Sequence, residues 1–349
     1  MTSTRETSSL RNSSIELLRI VAMFFVVIVH CNGWLVGGLP NNFDETNISI
    51  FRSSQAIIQA FTCTCVNLFL LISSYFGLNL KFKSIMKIIM VLISVSIPFY
   101  FVNCIAEEQF SARKLLTRLM VISRSGYFVE CYLLLMFFSP LLNAFIKEQG
   151  RRVITWVLLF WAIEVYFEFI IHDEDLGFKN GYSFIHFVLI YMIGRSLYIY
   201  KEKLHSIESF KYMMSYILCT CIIFMSYMFF DMLSAFSYCS PFNIIASCSI
   251  FVLFTKYTFY NRVINWVASS TFTVYIIHTQ PPVFNWLKSF DNFALTNYTY
   301  PKYVIMMGGV VTLVFWSSIL YDKIARLITV PIVDIIDTNL KKCIPNKNK

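Results

Sequence analysis

Charged side chains are scarce in this chain of 349 residues. They make up 14% of it, whereas soluble proteins carry about 25%. Hydrophobic residues reach 57%, and the chain has no internal repeat, low-complexity stretch or detachable polar region. These features exclude an ordinary soluble globular protein. They predict an all-α fold, a single polytopic membrane helix bundle.

The motifs of several common site classes are also missing. Neither a CxxC pair nor a cluster of His and Cys occurs, so we expect no metal site. Most of the ten cysteines lie in apolar segments, where cysteine behaves as a small hydrophobic residue. A disulfide among Cys31, Cys104 and Cys239 stays open. The G-x-S-x-G and H-E-x-x-H signatures are absent, and the basic residues form no patch that would indicate a nucleic-acid partner.

Apolar windows of about 20 residues, the length that crosses a bilayer, occur ten times. The predicted spans are 15–37, 55–78, 84–104, 127–146, 153–171, 183–199, 212–230, 240–258, 263–286 and 303–330. Pro281 and Pro282 interrupt the ninth, which is either one span or a span with a re-entrant piece. We therefore expect a polar tail (1–14), a transmembrane domain (15–330) and a basic tail (331–349).

Basic residues fall mainly in alternate loops. With a cytoplasmic N-terminus, most of the 29 Lys and Arg residues lie inside, as the positive-inside rule requires. The polar segment Met1–Ser14 carries no signal-peptide pattern, so the first apolar segment is expected to remain as a span and both termini to be cytoplasmic. One loop departs from the rule and predicts an amphipathic surface helix; its basic residues are Arg113, Lys114, Arg118 and Arg124.

The first apolar segment carries two ionisable residues, Arg19 and His30. Eleven residues are close to three helical turns, so both side chains share one face about 16 Å apart. With Arg19 at the surface, His30 lies near the bilayer centre, where an ionisable group indicates function. His30 suits a general base, or else an interhelical hydrogen bond. Arg19 suits the phosphates of a carrier such as coenzyme A, or else an ion pair with Glu16.

Four segments, in chain order, resemble the integral-membrane acyltransferase 3 family, which modifies cell-surface polysaccharides. They are the Arg-x10-His spacing of Arg19–His30, and then Val66–Phe76, Tyr127–Asn143 and Thr271–His278. The resemblance implies ten spans, a bacterial cytoplasmic membrane, and acetyl-CoA or another acyl-CoA as donor with no permanently bound cofactor. It also implies that His30 takes a proton from the acceptor hydroxyl while Arg19 helps to hold the donor. Direct transfer and an acyl-histidine relay stay open.

The chain departs from the family pattern at several positions. Ser74 and Thr273 stand where the family usually has glycine, and Tyr127 stands where tryptophan is common. The paired arginines that many relatives carry after the second helix are replaced by lysines, which hold phosphate without a bidentate fork. We assign these lysines to donor binding; they are Lys81, Lys83 and Lys87.

Other polar residues within apolar spans are assigned to acceptor binding. His278 closes the ninth apolar run and is either a capping residue or, as the resemblance favours, an acceptor ligand. Glu164, Glu168 and His172 recur every four residues, so they share one helix face and predict the wall of a sugar-binding groove more than a metal site. Glu130 is a further buried carboxylate with the same assignment.

Two classes of function follow from these residues. The first is an O-acyltransferase that moves an acetyl or other short acyl group from cytoplasmic acyl-CoA to a hydroxyl of a surface glycan or its lipid-linked precursor. The second is a transporter or flippase for a lipid-linked glycan or a small anion, which would use the same buried residues. Transporters often contain internal repeats, and the two halves of this chain show none. The oligomeric state is not predicted.

Overall fold

The computed structural model describes residues 11–32, 45–119, 126–171, 177–230 and 232–343. Every regular element in these ranges is helical, which confirms the all-α prediction. In chain order the helices are α1 Ser13–Asn32, α2 Glu45–Thr62, α3 Cys65–Tyr75, α4 Phe82–Glu107, α5 Ala112–Leu119, α6 Tyr127–Gln149, α7 Val153–Val165, α8 Phe184–Ile199, α9 Lys201–His205, α10 Ser209–Phe230, α11 Pro241–Thr255, α12 Arg262–Ala268, α13 Thr271–His278, α14 Pro281–Asn297 and α15 Tyr300–Cys343.

Seven helical segments within the described ranges are long and apolar enough to cross a membrane. The predicted membrane bundle is therefore confirmed, while the count of ten spans is not. One of the seven segments, Tyr127–Glu168, contains both α6 and α7, which are separated by a turn at Gly150 with φ 53° and ψ −124°. Helix α8 is apolar but only 16 residues long. The ninth expected span is divided into α12 and α13.

Prolines act differently in different parts of the bundle. Pro281 occupies the start of α14, where a missing N–H leaves no helical hydrogen bond unmade, and Gln280 before it is extended. This proline pair therefore ends the ninth apolar run, as the sequence indicates, and begins a helix that the sequence did not predict. Pro98 and Pro140 instead lie inside α4 and α6, which continue past them.

Helix α1 runs through the centre of the bundle. It packs against α2, α3, α11, α12 and α13, and its residues Leu18, Ala22 and Val27 are fully buried. At its N-terminus the Ser13 hydroxyl donates to Asn265 Oδ1 of α12 at 2.9 Å. We call this the Arg19 end of the bundle, and the opposite end of α1 the His30 end.

Two departures from the family pattern are matched by neighbouring helices. A Cβ on Gly194 of α8 would lie 2.8 Å from Ser74 Cβ of α3, so a glycine on the partner helix makes room for this serine. Thr273 Oγ1 of α13 donates to Asp322 Oδ1 of α15 at 2.5 Å, and Arg326 Nε donates to the other oxygen of Asp322 at 2.6 Å.

The last helix is much longer than the span expected at 303–330. Helix α15 has 44 residues and a length of about 66 Å, while the hydrocarbon core of a bilayer is about 30 Å thick. Its C-terminal part returns to the start of α4, where Lys83 Nζ lies 2.7 Å from Asp334 Oδ1. The expected surface helix in the third loop is present as α5.

Candidate functional site: a histidine pair beside a polar cavity

His30 and His278, which the sequence places on different spans, are in direct contact. The distance from His30 Nδ1 to His278 Nε2 is 2.8 Å, and the ring centroids are 4.9 Å apart. His278 is fully buried, and its Nδ1 lies 2.8 Å from the carbonyl oxygen of Val274 one turn earlier. Because both ring nitrogens of His278 are engaged within the protein, this residue lies behind His30 and not at a ligand-facing position.

A cavity of about 690 Å³ adjoins His30. We call it the His30 cavity, and it is lined by Val29, His30, Gln59, Cys63, Asn180, Tyr182, Leu233, Ser234, Phe236, Ser237, Tyr238 and Phe284. Its volume is in the range of about 300–1,000 Å³ that small-molecule sites occupy. The wall combines aromatic rings with amide and hydroxyl groups, so it suits a ligand that is polar at its edges and has a face to stack.

Two connecting segments form most of the cavity wall. One precedes α8 and contains Asn180 and Tyr182, and the other lies between α10 and α11 and contains Tyr238. Asn180 adopts a left-handed backbone conformation (φ 56°), and its carbonyl oxygen accepts hydrogen bonds from Tyr238 N at 3.1 Å and from the Ser237 hydroxyl at 2.9 Å. Gly181 also has a positive φ, and a Cβ there would lie 2.7 Å from Tyr238 Cβ. A glycine is therefore needed for the two segments to approach so closely.

Helix α2 supplies an oriented amide to the same wall. The side chain of Asn32, at the end of α1, donates to Gln59 Oε1 at 2.9 Å and to the carbonyl oxygen of Gln55 at 3.0 Å. All three side chains are buried. These hydrogen bonds fix the orientation of the Gln59 amide at the cavity.

A line of fully buried polar side chains supports the wall from within the bundle. Glu164 Oε1 lies 3.0 Å from His186 Nδ1, and His186 Nε2 lies 2.9 Å from Asn67 Oδ1. Asn67 Nδ2 then donates to the backbone carbonyl oxygen of Tyr238 at 2.9 Å. The line therefore joins α7, α8 and α3 to a residue of the His30 cavity.

The positions of the hydrogens in this line can be deduced from its last member, the backbone carbonyl of Tyr238. The carbonyl oxygen of Tyr238 can only accept, so Asn67 turns its NH₂ group to it and its Oδ1 to His186. His186 Nε2 must then carry a hydrogen. Glu164 and His186 Nδ1 consequently share one proton, as an ion pair or as a neutral acid and base, and either form leaves the pair neutral overall.

Of the expected stripe of Glu164, Glu168 and His172, the two glutamates do not line the His30 cavity together. Glu164 is fully buried against His186. The chain then forms a π-helical turn, which shifts the register of the side chains that follow. Glu168 Oε1 accepts the backbone N–H of Asn180 at 2.7 Å, and His172 lies outside the described residues. The two glutamates thus support the cavity through other residues.

Glu130 lies in the first turn of α6, where the helix N-terminus favours a negative charge. The same helix end adjoins the histidine pair. A Cβ on Gly126 would lie 3.2 Å from the Tyr275 hydroxyl, and the Tyr275 ring centroid is 6.5 Å from that of His30. Glu130 is half-buried there and is not one of the residues that line the His30 cavity.

Arg19 forms an ion pair with Glu16, the local alternative that the sequence allowed. The distance from Arg19 Nη1 to Glu16 Oε2 is 2.6 Å, and 29% of the Arg19 side chain is exposed. A guanidinium has five N–H donors, so this pair does not exhaust its capacity to bind an anion.

The three lysines assigned to the donor lie at the start of α4. Lys81 and Lys87 are exposed, whereas Lys83 pairs with Asp334. The turn that leads to them is held by a ring of hydrogen bonds: Leu78 N donates to the Tyr191 hydroxyl, Tyr191 donates to Asn143 Oδ1, and Asn143 Nδ2 donates to Leu78 O.

Sequence reasoning missed several residues of the site. His186 could have been found, because it is an ionisable residue inside a predicted span. Gln59, Asn180 and Tyr238 carry no such signal, since their shared position at the cavity depends on how distant segments pack.

No group of three His, Cys, Asp or Glu side chains among the described residues is arranged to hold a metal ion. The nine cysteines whose side chains the structure describes are all free thiols. They include Cys31, Cys104 and Cys239, so the disulfide that the sequence left open is not formed among these three. The polar groups that line the His30 cavity are the imidazole of His30, amides, hydroxyls and the thiol of Cys63.

These features define a polytopic helical membrane protein with a histidine site next to a polar cavity. A family model described as an acyltransferase domain matches residues 12–322. The chain belongs to the acyltransferase 3 family and is a membrane acyltransferase, which confirms the resemblance seen in the four sequence segments. Neither a curated protein nor a solved structure matches the chain.

Proposed function

We propose that the protein is an O-acyltransferase that moves an acetyl or other short acyl group from acyl-CoA to a hydroxyl of a cell-surface polysaccharide or its lipid-linked precursor. One observation carries the proposal beyond the family. His30 lines a cavity of about 690 Å³ whose wall includes amide and hydroxyl groups, and Arg19 lies on the same helix face toward the other end of the bundle. The transporter alternative is not carried further, because the family is one of acyltransferases.

His30 acts as the general base in this proposal. The acceptor hydroxyl gives its proton to the ring nitrogen of His30 that is not engaged with His278. The hydroxyl oxygen bonds to the thioester carbonyl carbon, the carbon–sulfur bond breaks, and the CoA thiolate takes the proton from His30. In the relay alternative the same nitrogen attacks the thioester and carries the acyl group to the acceptor.

The donor is assigned to the Arg19 end of the bundle. Arg19, Lys81 and Lys87 supply cationic groups for phosphates, and Lys83 joins them if its pair with Asp334 opens. Positive-inside bias assigns this end, with both chain termini, to the cytoplasm, where acyl-CoA is found. By the family resemblance the membrane is a bacterial inner membrane.

The acceptor is assigned to the His30 cavity. The aromatic rings of Tyr182 and Tyr238 suit stacking on the face of a sugar ring, and the amides of Gln59 and Asn180 suit its hydroxyls. Glu130 remains a candidate for the edge of this site. Glu164 and Glu168, expected to bind the acceptor directly, support it through Asn67 and Asn180.

The test is transfer from labelled acetyl-CoA to a lipid-linked glycan fraction by protein reconstituted in lipid vesicles. His30→Ala should lower kcat by about 10²-fold or more, the usual share of a general base, and leave CoA binding intact. Arg19→Ala should mainly raise the KM for acyl-CoA, because it removes a phosphate contact.

His205→Ala is the matched control, since this histidine lies on α9, 3.1 Å from Thr255 Oγ1 and outside the residues that line the cavity. It should transfer at the wild-type rate. Wild-type protein that binds no CoA and transfers no common acyl group would contradict the proposal, as would full activity in His30→Ala.

A further inference from the structure

The backbone fixes the position of one proton on His278. Its Nδ1 lies 2.8 Å from the carbonyl oxygen of Val274, and a carbonyl oxygen can only accept a hydrogen bond. His278 Nδ1 therefore carries a hydrogen. The ring is fully buried, and its neighbours are Val274 O, His30 and Tyr275, none of which is an anion. A second proton would thus leave a buried charge without a counter-ion, so His278 is neutral and its Nε2 holds a lone pair.

The tautomer of His278 determines the tautomer of His30. The two nitrogens that face each other, His278 Nε2 and His30 Nδ1, are 2.8 Å apart, so one of them must donate. Because His278 Nε2 holds a lone pair, the donor is His30 Nδ1. A neutral imidazole carries a single N–H, so the lone pair of His30 is on Nε2.

We propose that His278 is a positioning residue that holds His30 in the tautomer with its hydrogen on Nδ1 and its lone pair on Nε2. The catalytic meaning of this assignment rests on the proposed function. His30 itself lines the cavity, and Nε2 is the ring nitrogen that His278 leaves for chemistry. His278 thereby acts through His30 and does not touch the substrate.

The hydrogen bond from His30 to His278 also stabilises His30 when it takes the proton of the acceptor hydroxyl. When the acceptor hydroxyl transfers its proton to His30 Nε2, His30 becomes an imidazolium that still donates from Nδ1 to His278 Nε2. The hydrogen bond becomes charge-assisted and stronger without any movement of the two rings. When the thiolate of CoA removes the proton from Nε2, His30 returns to its starting tautomer, and the tautomer of His278 has not changed.

The direct test is ¹⁵N NMR of the ring nitrogens in histidine-labelled protein in lipid vesicles. The chain has five histidines, and the His30 signals are identified by their loss in His30→Gln. We expect a protonated Nδ1 and an unprotonated Nε2 for His30 in the wild type. In His278→Leu, which removes the acceptor, we expect a mixture of the two tautomers. A hydrogen on Nε2 of wild-type His30, or an unchanged single tautomer in His278→Leu, overturns the proposal.

A second measurement separates positioning from folding. In His278→Gln an amide oxygen replaces the lone pair of Nε2, so this variant should restore the single tautomer and most of kcat. His278→Leu should lower kcat by about 10- to 100-fold, less than the roughly 10²- to 10⁴-fold share of a general base because His30 itself is retained, with both KM values unchanged.

The neighbouring variant Thr279→Val is the control, because the Thr279 hydroxyl bonds only to carbonyl oxygens of its own helix, those of Tyr275 and Ile276. It should keep the wild-type tautomer and rate. Equal kcat in His278→Leu and wild type contradicts the positioning role. The NMR result does not require turnover, so failure of the acyl-transfer proposal is seen separately from failure of this one.

Discussion

At the residue scale, the contact between Ser74 and Gly194 shows how a departure from a family pattern is accommodated. A glycine is usual at position 74, and its replacement by serine adds atoms between two packed helices. The opposite helix carries a glycine at the point of contact, so Ser74 fits between α3 and α8. In a bilayer, where lipid tails are as apolar as side chains, such close packing is a main source of helix association.

Gly194→Ala should therefore destabilise the bundle. The added Cβ would meet Ser74 Cβ at 2.8 Å, and overpacking of this kind typically costs about 1–3 kcal/mol. Thermal unfolding in detergent measures the effect. Gly308→Ala and Gly309→Ala are matched controls, because a Cβ at either position meets nothing within 4 Å. The double variant Ser74→Gly with Gly194→Ala should regain most of the lost stability; no recovery would show that the two residues are not coupled.

At the element scale, the buried line from Glu164 through His186 to Asn67 connects three helices to the cavity. Glu164, which the sequence assigns to a ligand-facing stripe, is fully buried, and so is its partner His186. Their effect on a ligand can only be indirect, through the backbone of Tyr238. This differs from direct acceptor binding in a measurable way.

Glu164→Ala should lower stability and raise the KM for the acceptor, while the KM for acyl-CoA stays unchanged. Removal of one partner from a buried pair costs about 3–5 kcal/mol for an ion pair and about 1–3 kcal/mol for a neutral hydrogen-bonded pair, because His186 is left without its counter-group. Glu164→Gln retains a hydrogen-bonding partner for His186 and should lose less. Unfolding temperature and steady-state kinetics in vesicles report both effects. The exposed Glu148→Gln on α6 is the control, and a change in donor KM alone would refute the supporting role.

At the scale of the whole molecule, the bundle separates two sets of groups along α1. Cationic residues gather at the Arg19 end, and the histidine pair with its cavity lies toward the His30 end. The last helix, α15, is long enough to extend beyond the bundle. Its residue Asp334 lies against Lys83 at the start of α4. Asp334 thus forms an ion pair with Lys83, one of the three lysines assigned to donor binding.

Asp334→Asn should lower the KM for acyl-CoA about two- to fivefold, because it frees Lys83 for a phosphate. Both side chains are about half exposed, so solvent screens the pair and the unfolding temperature should hardly change. The KM is measured from the rate of acyl transfer at varied acyl-CoA concentration. Asp337→Asn, which releases Lys341 instead, is the matched control. An unchanged KM in Asp334→Asn would remove Lys83 from the donor site.

The sequence by itself determined the class of the protein and the position of Arg19 and His30 on one face of α1. Hydrophobic runs specify membrane helices because backbone groups in lipid must be bonded within the helix. The spacing of Arg19 and His30 specifies a shared face because helical periodicity is local. The same local rules did not give the division of the ninth run, in which α12 and α13 are separate short helices and α14 follows Pro281 as a helix of its own.

Only the tertiary structure decided which polar groups are partners. His30 meets His278 across 248 positions, and His186 bridges Glu164 and Asn67 from three different helices. A buried polar group in a bilayer must find a partner among whatever helices pack beside it, and that choice is not encoded in the spacing along its own helix. The same reason explains the His30 cavity, whose wall is formed where two connecting segments meet through Asn180 and Tyr238.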